Sequence, residues 1–289
     1  MALKNTLAPQ EKQRLGITAY LNSEKVLGNI EQALGKADKQ RFITGVISAV
    51  NTNPALQECT NKSILSGALL GESLKLSPSP QLGHYYLVPF NDKNQGKVAQ
   101  FQPGYKGYIQ LAIRSGQYKK LNVLAVKAGE LEYFDPLNED IKINLMVDKW
   151  DEREAAETIG YYAMFELTNG FRKAIYWSKQ QMENHALKYS AGYKAKKGYT
   201  FWEKNFDGMA YKTMLRQLIS KWGIMSTELQ HAYENDMTFT DNSGAVKYVE
   251  TDENIIDMEI DEIPQDEITE DSDNEPEPKT DAASALFGN

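Results

Sequence analysis

Apolar and polar positions change their period along the chain. Val26, Leu27, Ile30 and Leu34, then Phe42, Ile43, Val46, Ile47 and Val50, recur at helical spacing, so residues 1–53 are expected to be helical. Pro54 closes that run. Asn61 is placed to cap a second helix over 62–75, with Ile64, Leu65, Ala68 and Leu69 inward. Ser77-Pro78-Ser79-Pro80 breaks it. Period two follows: 84–90 and 97–101 read as strands around a turn-rich stretch, 91–96. A short helix is expected over 105–115, and strands over 121–127 and 141–147. Residues 159–168 and 171–177 flank Asn169-Gly170, a type I′ hairpin signal. Ser178 and Gln181 form a capping box for a helix reaching about Tyr189. After a Gly/Lys/Tyr-rich loop, 191–199, a long helix is expected over 203–225. Its apolar face is Met214, Leu215, Leu218, Ile219 and Trp222, and its basic face is Lys204, Lys212 and Arg216.

Beyond about residue 235 the core signal fades. Residues 251–289 combine low hydrophobicity, high charge and Pro264, Pro276 and Pro278, the composition of a disordered tail. An apolar tip, Ala285-Leu286-Phe287, ends it. The expected fold class is therefore α+β: a helical N-terminal region, a central antiparallel or mixed β-sheet with hairpins packed on a long helix, and a disordered acidic C-terminal tail.

Charge changes this picture more than composition does. Among 289 residues, 41% are hydrophobic, an ordinary soluble usage. No apolar run approaches the ~18 residues of a membrane helix, and Met1 to Gln10 hold no apolar signal core. A cytoplasmic protein without membrane contact is expected. Cys59 is the one cysteine, so no internal disulfide forms, and with His84, His185 and His231 it makes no Cys/His zinc cluster. The net charge of -8 averages two opposite segments. Residues 251–289 hold 14 acidic residues and one basic, whereas residues 1–250 hold 31 basic and 26 acidic. From Arg172 to Lys221 there are 11 basic residues and 3 acidic. Such asymmetry points to a polyanion partner for the body and a separate role for the tail.

Catalytic signatures are sparse. Gly67-Ala-Leu-Leu-Gly71 is followed by Glu72-Ser73 where a phosphate-binding loop needs Lys-Ser/Thr, so its glycines are read as helix-packing positions and no cofactor is expected. Asp140-Ile141-Lys142, with Asp135 upstream, has the spacing of one metal-dependent nuclease class. A solvated strand edge is the stronger reading of those residues. Cys59 reads as a packed small residue. The strongest pattern is cations interleaved with aromatics from Phe171 to Trp222, joined by a second cluster around Tyr105, Lys106, Arg114 and Lys119. Phosphates want Lys and Arg, and unpaired bases want flat rings, so the pattern suits a sequence-tolerant single-strand groove. A basic face over aromatics that belong to the core competes with it, and Trp177, Phe206 and Trp222 are expected mainly in the core.

Three long blocks carry a resemblance. Gly67 to Phe90 (GALLGESLKLSPSPQLGHYYLVPF), Gln100 to Gly116 (QFQPGYKGYIQLAIRSG) and Phe201 to Ser226 (FWEKNFDGMAYKTMLRQLISKWGIMS) resemble the RecT family of phage single-strand annealing proteins. The resemblance spans roughly residues 30–230. It implies an ATP-independent recombinase without covalent chemistry, which coats single-stranded DNA, pairs it with the complementary strand and holds the duplex. It also implies a homo-oligomeric ring or helical filament, a phage exonuclease partner and contact with the host single-stranded-DNA-binding protein. On this footing residues 1–60 are expected to pack protomers together, 61–235 to form the DNA-binding core, and 236–289 to reach protein partners. Lys106, Arg114, Lys119, Lys188, Lys194, Lys196, Lys197, Lys204, Lys212, Arg216 and Lys221 are expected to face phosphate, with Tyr105, Tyr193, Phe201 and Trp202 against sugars or bases. Gly104 and Gly107 would allow close backbone approach. A metal-dependent nuclease built on Asp135 and Asp140, and a binder that protects single strands without pairing them, stay open as alternatives. So does the tail's role, as inert solubiliser, competitor for the groove or partner recruiter.

Overall fold

The computed structural model describes residues 15–92, 94–198, 200–240 and 246–248. The tail expected over 251–289 lies outside the described residues, as do residues 1–14. Helices α1 (Ile17–Leu21) and α2 (Glu24–Thr52) open the described chain. Gly35 interrupts α2 with φ 80° and ψ 168°, a conformation only glycine reaches cheaply, so the long helical run is two segments joined at a kink. A 3₁₀ turn, Pro54–Glu58, leads to α3 (Asn61–Ser73). The cap of α3 is Thr60, whose hydroxyl accepts from the Ser63 amide, one residue before the expected Asn61.

Strands β1 (Tyr85–Asp92) and β2 (Gly96–Pro103) form the first hairpin. Helix α4 (Tyr105–Arg114) follows, then β3 (Tyr118–Lys127), a small hairpin of β4 (Leu131–Asp135) and β5 (Asp140–Ile143), and the short α5 (Trp150–Ala155). Strands β6 (Thr158–Leu167) and β7 (Arg172–Ser178) pair as expected, but through a different turn. Asn169 is absent from the residues with positive φ, whereas Gly170 has φ 87°. The Gly170 amide donates to the Leu167 carbonyl, and the Leu167 amide to Phe171. This is a three-residue loop closed by a left-handed glycine, not a type I′ turn. The capping box at Ser178 starts α6 (Lys179–Tyr189) with both of its hydrogen bonds formed.

The expected loop 191–199 contains a helical turn, α7 (Ala191–Lys194). The expected long helix is two: α8 (Phe201–Lys204), then α9 (Phe206–Trp222), with Asn205 between them capping the second. Helix α10 (Thr227–Glu234) and strands β8 (Thr238–Thr240) and β9 (Val246–Tyr248) close the described chain. Every described strand pairing is antiparallel, in sheets ordered β1-β2-β8-β9, β3-β6-β7 and β4-β5. The fold is α+β with small antiparallel sheets.

Two apolar cores meet at α9. In the first, Ile30, Phe42, Val46 and Ile64 pack with Leu87, Phe101 and Leu111, and with Leu215 and Ile219 of α9. The second joins Tyr161, Ala163 and Phe165 of β6 to Met182 and Ala186 of α6, with Met214 and Leu218 of α9. Adjacent stripes of one helix thus serve both cores, so α9 is buried on two sides. The N-terminal helices belong to the first core, and β8 ties residues past 235 to β2. Packing is continuous across both expected boundaries, at 60 and at 235.

Candidate nucleic-acid interface

Aromatic side chains from seven elements form a chain of ring contacts. Tyr105, at the start of α4, meets Tyr211 of α9 edge-on with centroids 5.5 Å apart. Tyr211 meets Tyr161 at 6.1 Å, and Tyr161 meets Phe206 at 6.2 Å. Phe206 meets Trp202 at 5.1 Å and Tyr193 at 6.1 Å. Trp202 continues to His185 at 6.3 Å, which lies 4.6 Å from Tyr189 and 5.5 Å from Trp177. Beside this seam, Phe201 meets Tyr86 of β1 at 5.8 Å. Trp202 is buried in the second core, Tyr105, Tyr193 and Phe201 are half-buried, and Tyr189 is exposed. The base of the seam therefore belongs to the core and its upper edge meets solvent. Burial, then nearby Lys188 and Arg216, lowers the His185 pKa, so the imidazole is neutral at pH 7 and acts as an uncharged ring in the series.

The exposed lysines gather at the ends of this seam. Lys188 lies 5.1 Å over the Tyr189 ring. Lys194, Lys196 and Lys197 are exposed on the segment leaving α7, and Lys204 is exposed at the end of α8. Lys106 is exposed on α4 beside the Gly83 turn. Gly104 and Gly107 do permit a close approach, but to protein. A Cβ on Gly107 would lie 2.0 Å from the His84 carbonyl oxygen, and one on Gly104 2.3 Å from that of Gly83. The start of α4 is thereby pressed onto the 83–84 backbone, which sets Tyr105 and Lys106 beside Tyr86. Burial, then Arg114 and Lys106, lowers the His84 pKa.

Five expected phosphate contacts lie elsewhere or are engaged within the protein. Lys212 is buried, and its ammonium donates to Asp236 at 2.9 Å. Arg216 donates to the other Asp236 oxygen and to the Tyr108 hydroxyl, with its guanidinium 4.1 Å over the Tyr233 ring. Asp236 has 1% of its surface exposed, so this is an internal network. Burial, then Asp236, pushes the Tyr108 pKa well up. Arg114 donates to the Leu74 carbonyl at 2.5 Å and to that of Lys75 at 3.4 Å, serving the carbonyl end of α3. Lys119 pairs with Glu166 at 2.6 Å. Lys221 lies 5.2 Å from the Trp222 ring, at the far end of α9, about 22 Å along the axis from Phe206. Trp222 is 39% exposed and holds the Lys173 ammonium 3.7 Å over its ring, so it is a surface platform, whereas Trp177 and Phe206 pack against the second core.

Sequence reasoning missed Tyr86 and His185 as members of the aromatic series, and Trp150 and Arg153 entirely. A cleft of about 510 Å³ opens between α4, β3, α5 and α9, with Tyr105, Tyr211, Trp150 and Arg153 among its walls. Trp150 had one legible signal: a large ring isolated among charged residues has no apolar stripe to join.

Asp135 and Asp140 face each other across the β4–β5 pair. Asp135 accepts from the Asn138 side chain at 2.6 Å and the Leu137 amide at 2.8 Å, so it organises the hairpin turn, and those donors lower its pKa. Lys142 pairs with Glu132 at 2.5 Å. Among the described residues no group of three or more His, Cys, Asp or Glu is placed to hold a metal ion. No helix among them is long and apolar enough to cross a membrane.

A family model described as the RecT family matches residues 40–253. The chain is 40% identical to YqaK of Bacillus subtilis strain 168 over 236 residues, 81% of this chain and 77% of that protein. It is 29% identical to Protein RecT of Escherichia coli K12 over 233 residues, covering 79% and 83% of the two chains.

Proposed function

Because the chain belongs to the RecT family, whose members are single-strand annealing proteins of DNA recombination, we propose that it coats single-stranded DNA without ATP, pairs it with a complementary strand and holds the product along the aromatic seam. The observation that carries this reading is the seam itself: rings with a solvent-facing edge, flanked by the exposed Lys106, Lys188, Lys194, Lys196, Lys197 and Lys204. Lysines grip phosphates whatever the sequence, and flat rings accept any base face. Sequence choice then comes from base pairing. A protein that held the Watson–Crick edges would prevent pairing, so backbone grip with edges left free is what annealing needs.

Lys212 and Arg216 support this function from inside. They fix α9 against α4 and Asp236, and so hold Tyr105 and Tyr211 in place. Arg114 acts in the same way at the other end of α4. A ring or filament of protomers multiplies many weak sites along one strand. An exonuclease that resects duplex ends and the host single-stranded-DNA-binding protein are the partners such a cycle requires.

Two complementary fluorophore-labelled oligonucleotides, added in sequence to the protein without ATP, test the reading. Pairing faster than the protein-free rate, with one large and stable complex, is expected. Binding of each strand with no gain in pairing rate would reduce the protein to a single-strand binder. Cleavage in Mg²⁺ or Mn²⁺, lost in Asp140→Ala, would favour the nuclease instead.

A further inference from the structure

Trp150 stands in the polar run Asp148-Lys149-Trp150-Asp151-Glu152-Arg153, and 57% of its surface is exposed. It is nevertheless firmly mounted. Arg153 lies over the indole, with its guanidinium carbon 5.4 Å from the ring centre. Arg153 is in turn fixed by Glu130, donating through Nε at 2.7 Å and Nη2 at 3.3 Å, while Nη2 also reaches the Ala125 carbonyl at 2.9 Å. Glu130 is wholly buried and accepts two further hydrogen bonds, from the Lys127 amide at 2.8 Å and the Met146 amide at 3.1 Å. Burial raises its pKa, but these amides and the guanidinium outweigh burial, and the carboxyl titrates below its ordinary value. A buried ion pair is costly unless its hydrogen bonds are this complete. Here it holds a solvent-facing indole in one orientation, the preorganisation a binding platform needs.

Trp150 forms one wall of the 510 Å³ cleft, within the range of small-ligand sites. Tyr105 and Tyr211 form another wall, so the cleft is continuous with the aromatic seam. Its charges disfavour a phosphate. Arg153 is already neutralised by Glu130, and Lys127 is offset by Asp207 and Glu154 on the same lining. A neutral, flat group meets no such penalty.

We propose that this cleft receives one unstacked nucleobase of the bound strand, stacked on Trp150, while the phosphates stay with the exposed lysines. The inference rests on reading the chain as a single-strand binder, and it adds a site for the base itself. Any base is accepted, because every base has a π-face.

The test uses the full-length protein and fluorescence anisotropy with two labelled strands of equal length, one normal and one abasic. Trp150→Ala is expected to weaken binding of the normal strand about tenfold, the scale of one stacked base. Affinity for the abasic strand and the salt slope are expected to stay unchanged. Trp150→Phe should recover most of the loss. Trp150→Leu keeps the apolar bulk without the ring and replaces the alanine variant should that one not fold. Equal loss on both strands, or none on either, overturns the pocket while leaving the annealing reading intact. Impaired self-association of the DNA-free variant would assign the indole to a contact between protomers, and also overturns it. A wild-type protein that binds neither strand would overturn the annealing reading and this one together.

Discussion

Lys212 and Arg216 lie four residues apart on α9, in a sequence window rich in cations, and both point inward. The residue that draws them there is Asp236, 20 positions beyond Arg216 and 1% exposed. Replacing both cations with alanine would leave that carboxylate buried without them, so the outcome is a stability loss rather than a cleaner measurement of DNA contacts. The same logic gives a sharper expectation for the acid. Asp236→Asn removes the carboxylate that both cations meet, and removing one partner of a buried pair costs about 3–5 kcal/mol. Urea unfolding at neutral pH checks this, and a loss below about 1 kcal/mol would show that water already reaches the network. Charge type is visible in a sequence at each of these positions. The partner that turns a cation inward is not, because it arrives from a remote segment.

Elements differ in how much of them local pattern specifies. The capping box at Ser178 and the β6–β7 hairpin depend on neighbouring residues and emerge where expected. Helix α9 depends on two cores at once, so its face assignment needs the fold. The segment leaving α7 presents Lys194, Lys196 and Lys197 at the surface, with no place in either core. Changing all three to alanine is expected to leave thermal stability within error. The same change should flatten the dependence of log affinity on log salt by about two units, at about 0.7 per phosphate for single strands. An unchanged slope would remove this segment from the phosphate path. Lys119 and Lys120, both paired with Glu166, should contribute less to the slope.

At the scale of the whole molecule, charge is divided between body and tail. Deleting residues 251–289 removes 14 acidic residues and one basic, turning a net charge of -8 into an excess of 31 basic over 26 acidic residues. Association with DNA is then expected to accelerate at low salt, through long-range attraction, and to converge on the full-length rate as salt shortens the screening length toward about 3 Å at 1 M. Stopped-flow association across a salt series reads this directly. A rate gain that persists at 1 M would indicate local competition for the site rather than net charge.

Length, period and charge, read along the chain, determined that this protein is α+β and that its body and its tail differ in electrostatic sign. Three long blocks were enough to suggest its family. These properties are local or additive, so they survive projection onto one dimension. Tertiary structure alone decided which cations face solvent. It buried Lys212, assigned Arg114 to the carbonyls just past the end of α3, and left Lys106, Lys188 and the Lys194–Lys197 segment at the surface. It also mounted Trp150 on Arg153 through Glu130, 20 residues upstream of the indole. The physical reason is common to all of these. A side chain's role depends on the partner that neutralises, buries or supports it, and in a fold of antiparallel pairings and shared helix faces that partner comes from distant sequence.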